Sequence, residues 1–117
     1  MTAEAIAYAA LKGLASGSVF PDVAPAKTAP PWITYQAVGG QDFTDLSGSP
    51  PETLNQRMQV TAWSKTRAQA SALIQQARIA LVSPGVLAVP IGAPDSVFED
   101  ATMLYGSRLD FSINYKA

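Results

Sequence analysis

The sequence predicts an α+β domain in which an antiparallel sheet of about four to five strands carries two helices on one face. Three stretches carry that prediction. From Leu54 to Leu81 the pattern has period two as far as Trp63 and a helical period after it, so a strand runs straight into a helix. From Met103 to Lys116 apolar and polar residues alternate, which is how a strand with one buried and one wet face is written. From Thr2 to Leu14, Ile6, Ala7, Ala10, Leu11 and Leu14 recur at helical spacing.

In chain order, Thr2 is placed to cap the first helix, with Glu4 in the first turn where it complements the helix dipole. Gly17 marks the end of this segment. Val19 and Phe20 make a very short strand stopped by Pro21, and the segment to Pro31 is a connector whose prolines pre-set extended backbone. Trp32 to Val38 is a strand by its β-branched and aromatic content. Ile33, Tyr35 and Ala37 compete with Trp32 and Val38 for its buried face, and the pattern leaves that choice open. Gly39 to Glu52, GGQDFTDLSGSPPE, has turn formers throughout and no periodicity. It exceeds the usual hairpin loop of roughly two to five residues, so it is expected to be a flexible arm, with Phe43 and Leu46 as its apolar anchors.

In the central strand, Met58, Val60 and Ala62 oppose Arg57, Gln59 and Thr61. In the helix after it, Ala70, Leu73, Ile74, Ala77 and Leu81 form the stripe for the sheet, and Ser64 or Thr66 is the N-cap. Ser83-Pro84-Gly85 stops this helix. Pro90 and Pro94 reduce the next stretch to an edge strand or loop, followed by a short strand from Ser96 to Ala101. In the last strand Tyr105, Leu109, Phe111, Ile113 and Tyr115 share the parity expected to be buried, and Gly106 is a bulge or a site of close approach.

At 117 residues the chain is read as one domain, 1–117, burying roughly two-thirds of the surface its unfolded form exposes. The absence of cysteine removes disulfides, thiol nucleophiles and thiolate metal sites, and the absence of histidine removes the commonest general base and transition-metal ligand. A net charge of -1 without long like-charge runs argues against an electrostatic footprint for nucleic acid or an anionic membrane. The alanine-rich N-terminus lacks the basic leader of a signal peptide, so a cytoplasmic site of synthesis and use is expected.

Asp95, Glu99 and Asp100 are close in sequence but lack EF-hand spacing and read as solvated charge beside an edge strand. The glycine-bearing turns at Gly39-Gly40 and Ser47-Gly48-Ser49 match no phosphate-binding motif. Trp32, Trp63, Tyr35, Phe43, Tyr105, Phe111 and Tyr115 raise a stacking platform for single strands, but basic residues are few, and core packing is the simpler reading, with Trp32 and Phe43 the two expected at the surface. No catalytic residue, metal ligand or cofactor is expected. The candidate contact residues are Gln41, Asp42, Phe43, Thr44, Asp45 and Leu46 in the arm. Arg57, Gln59 and Thr61 form a sheet face that is solvated or lines an interface or lumen.

The order of helix, PPWITYQAV, long arm, RMQVTAWSKTRAQASALIQQARIAL, proline-interrupted segment and MLYGSRLDFSINYKA resembles the tail completion proteins of long-tailed bacteriophages. Arg57, Gln59, Val60 and Trp63, an R-x-Q-V-x-x-W strand entering a helix, carry most of the resemblance. It implies a non-enzymatic phage or prophage morphogenesis protein that terminates the tail at its head-proximal end and joins it to the head connector. The implied form is a homo-oligomeric ring, a hexamer in related tail terminators; separately, the entropic cost of ordering the arm predicts a monomer when isolated. The implied partners are the tail tube protein and head-tail connector proteins, with genomic DNA passing through unread and no membrane. The implied location is the virion, assembled in the host cytoplasm. The alternatives are a small cytoplasmic enzyme using carboxylate or lysine chemistry, and a single-strand nucleic-acid module.

Overall fold

Alternation along three neighbouring strands builds one apolar sheet surface, and two helices with small residues in their stripes lie down on it. The computed structural model describes residues 1–117. The elements are α1 (Ala3–Leu11), a 3-10 turn at Ala15–Gly17, β1 (Val19–Pro21), β2 (Trp32–Ala37), β3 (Thr53–Ser64), α2 (Arg67–Val82), β4 (Val89–Glu99) and β5 (Leu104–Lys116). The five-stranded sheet has the order β1-β2-β3-β5-β4. Every pairing is antiparallel except β1 with β2, which is parallel.

The buried face of β2 is that of Ile33 and Tyr35. They join Met58, Val60 and Ala62 of β3 and Leu109, Phe111 and Ile113 of β5 in one apolar cluster. Ala3, Ala7 and Leu11 of α1 and Leu73, Ile74, Ala77 and Leu81 of α2 complete it, so both helices cover the same face. Alanine at positions 7 and 77 lets each helix axis approach the strands closely, as interior packing density demands. Ile6 and Ala10, within α1 but off its buried Ala3–Ala7–Leu11 line, are only partly buried, as is Leu14, which lies beyond the helix end.

The caps follow from local chemistry. Ala5 N–H donates to Thr2 Oγ1 at 3.2 Å. Gln69 N–H donates to Thr66 Oγ1 at 3.2 Å, so Thr66 is the N-cap of α2. Ser64 is instead the fully buried end of β3 and donates to Gln69 Oε1 at 2.5 Å.

Two strand expectations are corrected. The proline-bearing segment and the strand expected at Ser96–Ala101 are one edge strand, β4, interrupted by a register shift between Ile91 and Asp95. Pro94 falls in that irregular stretch and Pro90 on the sheet edge, where a missing N–H costs no ladder bond. Tyr105 is not core: it faces the helical side but lies beyond the start of α2, and stays 37% exposed. It packs on Phe98, with ring centroids 4.9 Å apart, and under the Arg67 guanidinium, 5.3 Å from the ring.

Candidate functional site

The sheet face without helices carries the other parity: Trp32, Thr34 and Gln36 on β2, Arg57, Gln59, Thr61 and Trp63 on β3, and Gly106, Arg108 and Asp110 on β5. Register places Trp32 opposite Trp63, and Trp63 opposite Gly106. Gly106 is the close approach that the sequence left open against a bulge. A Cβ there would stand 2.6 Å from Val97 Cγ2 and 2.8 Å from Trp63 Cζ3, so only glycine lets the indole lie flat across β5. The two tryptophans are therefore half-buried on the open face and take no part in the core.

This face is a trough. The β1–β2 connection, from Asp22 to Pro30, rises along one side, and the β4–β5 turn, from Glu99 to Leu104, along the other. The β1–β2 wall is shaped by tight local bonds: Thr28 donates through both N–H, at 3.2 Å, and Oγ1, at 2.6 Å, to Pro25 O. Between the walls lies a cavity of about 900 Å³ with Thr34, Gln36, Gln59, Thr61 and the two tryptophans in its floor. Its rim holds the exposed apolar residues Val23 and Met103 and the cations Lys27 and Lys65. The rim could not be foreseen from sequence, because its walls come from segments about seventy residues apart.

Of the sheet residues singled out from sequence, Gln59 and Thr61 line this groove. Thr61 is buried at its centre. Arg57 lies outside it, in a smaller hollow of about 250 Å³, where its Nε donates to Asp110 Oδ2 at 2.7 Å. Arg108 approaches Asp95 at 3.7 Å. Glu99 accepts from Thr102 Oγ1 at 2.8 Å, and Asp95, Glu99 and Asp100 do not converge on a common point.

The arm from Gly39 to Glu52 contains no helix or strand. Its base is tied down. Arg57 N–H donates to Gly39 O at 2.7 Å, and Gln41 N–H to Asn55 Oδ1 at 2.9 Å. Asn55 Nδ2 in turn donates to Ser112 Oγ and Asn114 Oδ1, both at 2.8 Å, so one side chain links the arm to β5. Gly40, at φ +141°, passes so near β3 that a Cβ would meet Asn55 O at 2.8 Å. Sequence reasoning missed Asn55; a polar residue beside a glycine-led loop was the only signal.

Beyond Gln41 the arm holds itself by short-range turns. Thr44 donates to Asp42 Oδ1 through N–H at 2.9 Å and Oγ1 at 2.6 Å. Ser47 repeats the pattern on Asp45 Oδ1 at 2.9 and 2.5 Å. These hydroxyl bonds first, and the amide bonds second, hold both carboxyls below the usual carboxylate range. Residues 41–50 are all exposed, Phe43 at 43% and Leu46 completely. An apolar pair displayed on self-ordered turns can bind a surface, but it has no group suited to bond chemistry.

No helix is long and apolar enough to cross a membrane. Residues 1–116 match the model of the family described as Tail completion protein gp17. No match is found among curated proteins.

Proposed function

The chain belongs to the tail completion protein gp17 family, and from that footing we propose that it forms a homo-oligomeric ring on the head-proximal end of the phage tail and joins it to the head connector. Membership makes it a tail completion protein of the virion, working among other tail or head proteins. The ring, with six copies as the resemblance to tail terminators suggests, is the arrangement through which one small domain can present a closed surface to a tubular partner.

The observation that carries this reading is the arm: ten consecutive exposed residues, 41–50, with Phe43 and Leu46 held out on Asx turns. Burying these two side chains on a partner contributes roughly 1.5–3 kcal/mol each. Ordering an arm costs roughly 1–2 kcal/mol per residue in backbone entropy, so one such contact alone is weak. A ring seated on a tail makes many at once, and effective concentration offsets the cost. The isolated chain is therefore monomeric at modest concentration, the arm keeping its local turns but moving as a whole beyond its tied base until it is docked, and assembly waits for the tail. DNA passes through the ring without being read.

The test is a phage deleted for this gene. Filled heads and tails should accumulate unjoined, and supplying the chain should restore joined particles with a ring of density at the head-proximal end of the tail. Joined, infectious particles in its absence would overturn the reading.

A further inference from the structure

We propose that the groove on the open sheet face is the receptor for the arm of a second copy of this chain, with Phe43 and Leu46 seated over the Trp32–Trp63 pair. This rests on the reading of the arm as an assembly segment and adds where it goes.

Chemistry selects the occupant. The arm between Gly40 and Ser49 carries Asp42 and Asp45 and no cation, whereas the groove lining carries the cations Lys27, Lys65 and Arg108 against the carboxylates Asp22 and Glu99, a small positive excess. The hydrogen bonds of both Asx turns fall on Oδ1, leaving each Oδ2 for a lysine. The apolar parts match too: Phe43 and Leu46 on the arm, and Val23 and Met103 at the rim, are exposed in the single chain. A cavity of about 900 Å³ has the size of a small-ligand pocket, enough for a few side chains but not for a whole helix.

Geometry makes the contact one between copies. The arm leaves the sheet at the Ala37 end of β2, and Trp32 is at the other end, about 17 Å away at 3.4 Å per residue. Residues 41–50 are exposed, so the arm does not occupy the groove of its own chain. Arm and groove are unlike surfaces, and the tryptophan pair lies at the end of the groove away from the arm's exit. A contact of this kind is heterologous, and it closes into a ring when the rotation between neighbours divides the circle.

Trp32 and Trp63 are the chain's two tryptophans and both line the groove, so intrinsic fluorescence reports its occupancy directly. A synthetic peptide of residues 39–52, titrated into the intact protein, should shift tryptophan emission to the blue saturably. The same peptide with Phe43→Ala should bind at least about tenfold more weakly. Mixing single variants Leu46→Cys and Met103→Cys of this cysteine-free chain under oxidation should give a mixed disulfide dimer, with Val23→Cys as a second groove position. Three results would overturn the proposal: unchanged emission with the peptide; a shift produced by oligothymidylate in its place; or a disulfide that closes only within a Leu46→Cys/Met103→Cys double variant and never between single variants. If arm substitutions block tail completion while the peptide leaves emission unchanged, the groove assignment fails and the assembly reading stands. If the peptide fills the groove but arm substitutions leave tail completion intact, the groove assignment stands and the arm's role in assembly fails.

Discussion

Gly106→Ala tests whether the flat seating of Trp63 is what shapes the open face. The added methyl would lie 2.6 Å from Val97 Cγ2 and 2.8 and 2.9 Å from two ring carbons of Trp63, well inside contact distance. Neither neighbour is a loose chain end, since Val97 is on the paired strand β4 and the indole is half-buried. Overpacking of this kind costs about 1–3 kcal/mol. Replacing glycine also removes freedom from the unfolded chain, which returns about 0.4–1 kcal/mol. The net expectation is destabilisation by about 1–2 kcal/mol, a fall in Tm of about 4–8 °C for a domain of this size. Thermal unfolding by circular dichroism measures it. In a Trp63→Ala, Val97→Ala background the same change should become neutral or mildly stabilising, a coupling of about 1 kcal/mol or more. A stabilised Gly106→Ala protein, or no coupling, would refute the contact as the reason for the glycine.

Other outcomes follow from single side chains. Phe111, fully buried opposite Met58, should cost about 3–5 kcal/mol on change to alanine, read from chemical denaturation; a loss below about 1 kcal/mol would contradict its place in the core. Thr66→Ala removes the acceptor for Gln69 N–H and should cost about 1 kcal/mol by the same assay, whereas Thr66→Ser should cost far less. Carbon-detected NMR titration should find Asp42 and Asp45 ionising below the ordinary 3.8. Their depressed values mean that the turns gain from ionisation above that pH and lose it as pH falls through the folded values. Thr44→Val should return Asp42 toward 3.8 and leave Asp45 alone; an Asp42 at or above the ordinary value in the unaltered chain would contradict the turn.

What was legible in the sequence is what local periodicity determines. The stripe of α2, Ala70 to Leu81, and the alternation of Leu109, Phe111 and Ile113 are buried as read, because each needs only one element and one face. The parallel pairing of β1 was not legible: three residues fix no direction, which comes from Ile33 N–H donating to Ser18 O across a long connection. Tyr105 misled because parity gives the face but not where the covering helix begins. Trp63 misled in the opposite way, an aromatic on the polar parity that is accommodated because a glycine sits beside it on the next strand. For the candidate site, the arm was visible as a lapse in pattern. The groove on the open sheet face was not, since its floor joins β2 and β3 and its walls come from two distant loops.

The most direct test of the assembly account is complementation of a gene-deleted phage by the Phe43→Ala/Leu46→Ala chain, scored by particle yield and electron microscopy. Both side chains are exposed, so the variant should melt within about 0.5 kcal/mol of the unaltered protein. The account predicts a folded protein that leaves heads and tails unjoined. Joined, infectious particles at the normal yield would contradict it and place the assembly surface away from the arm.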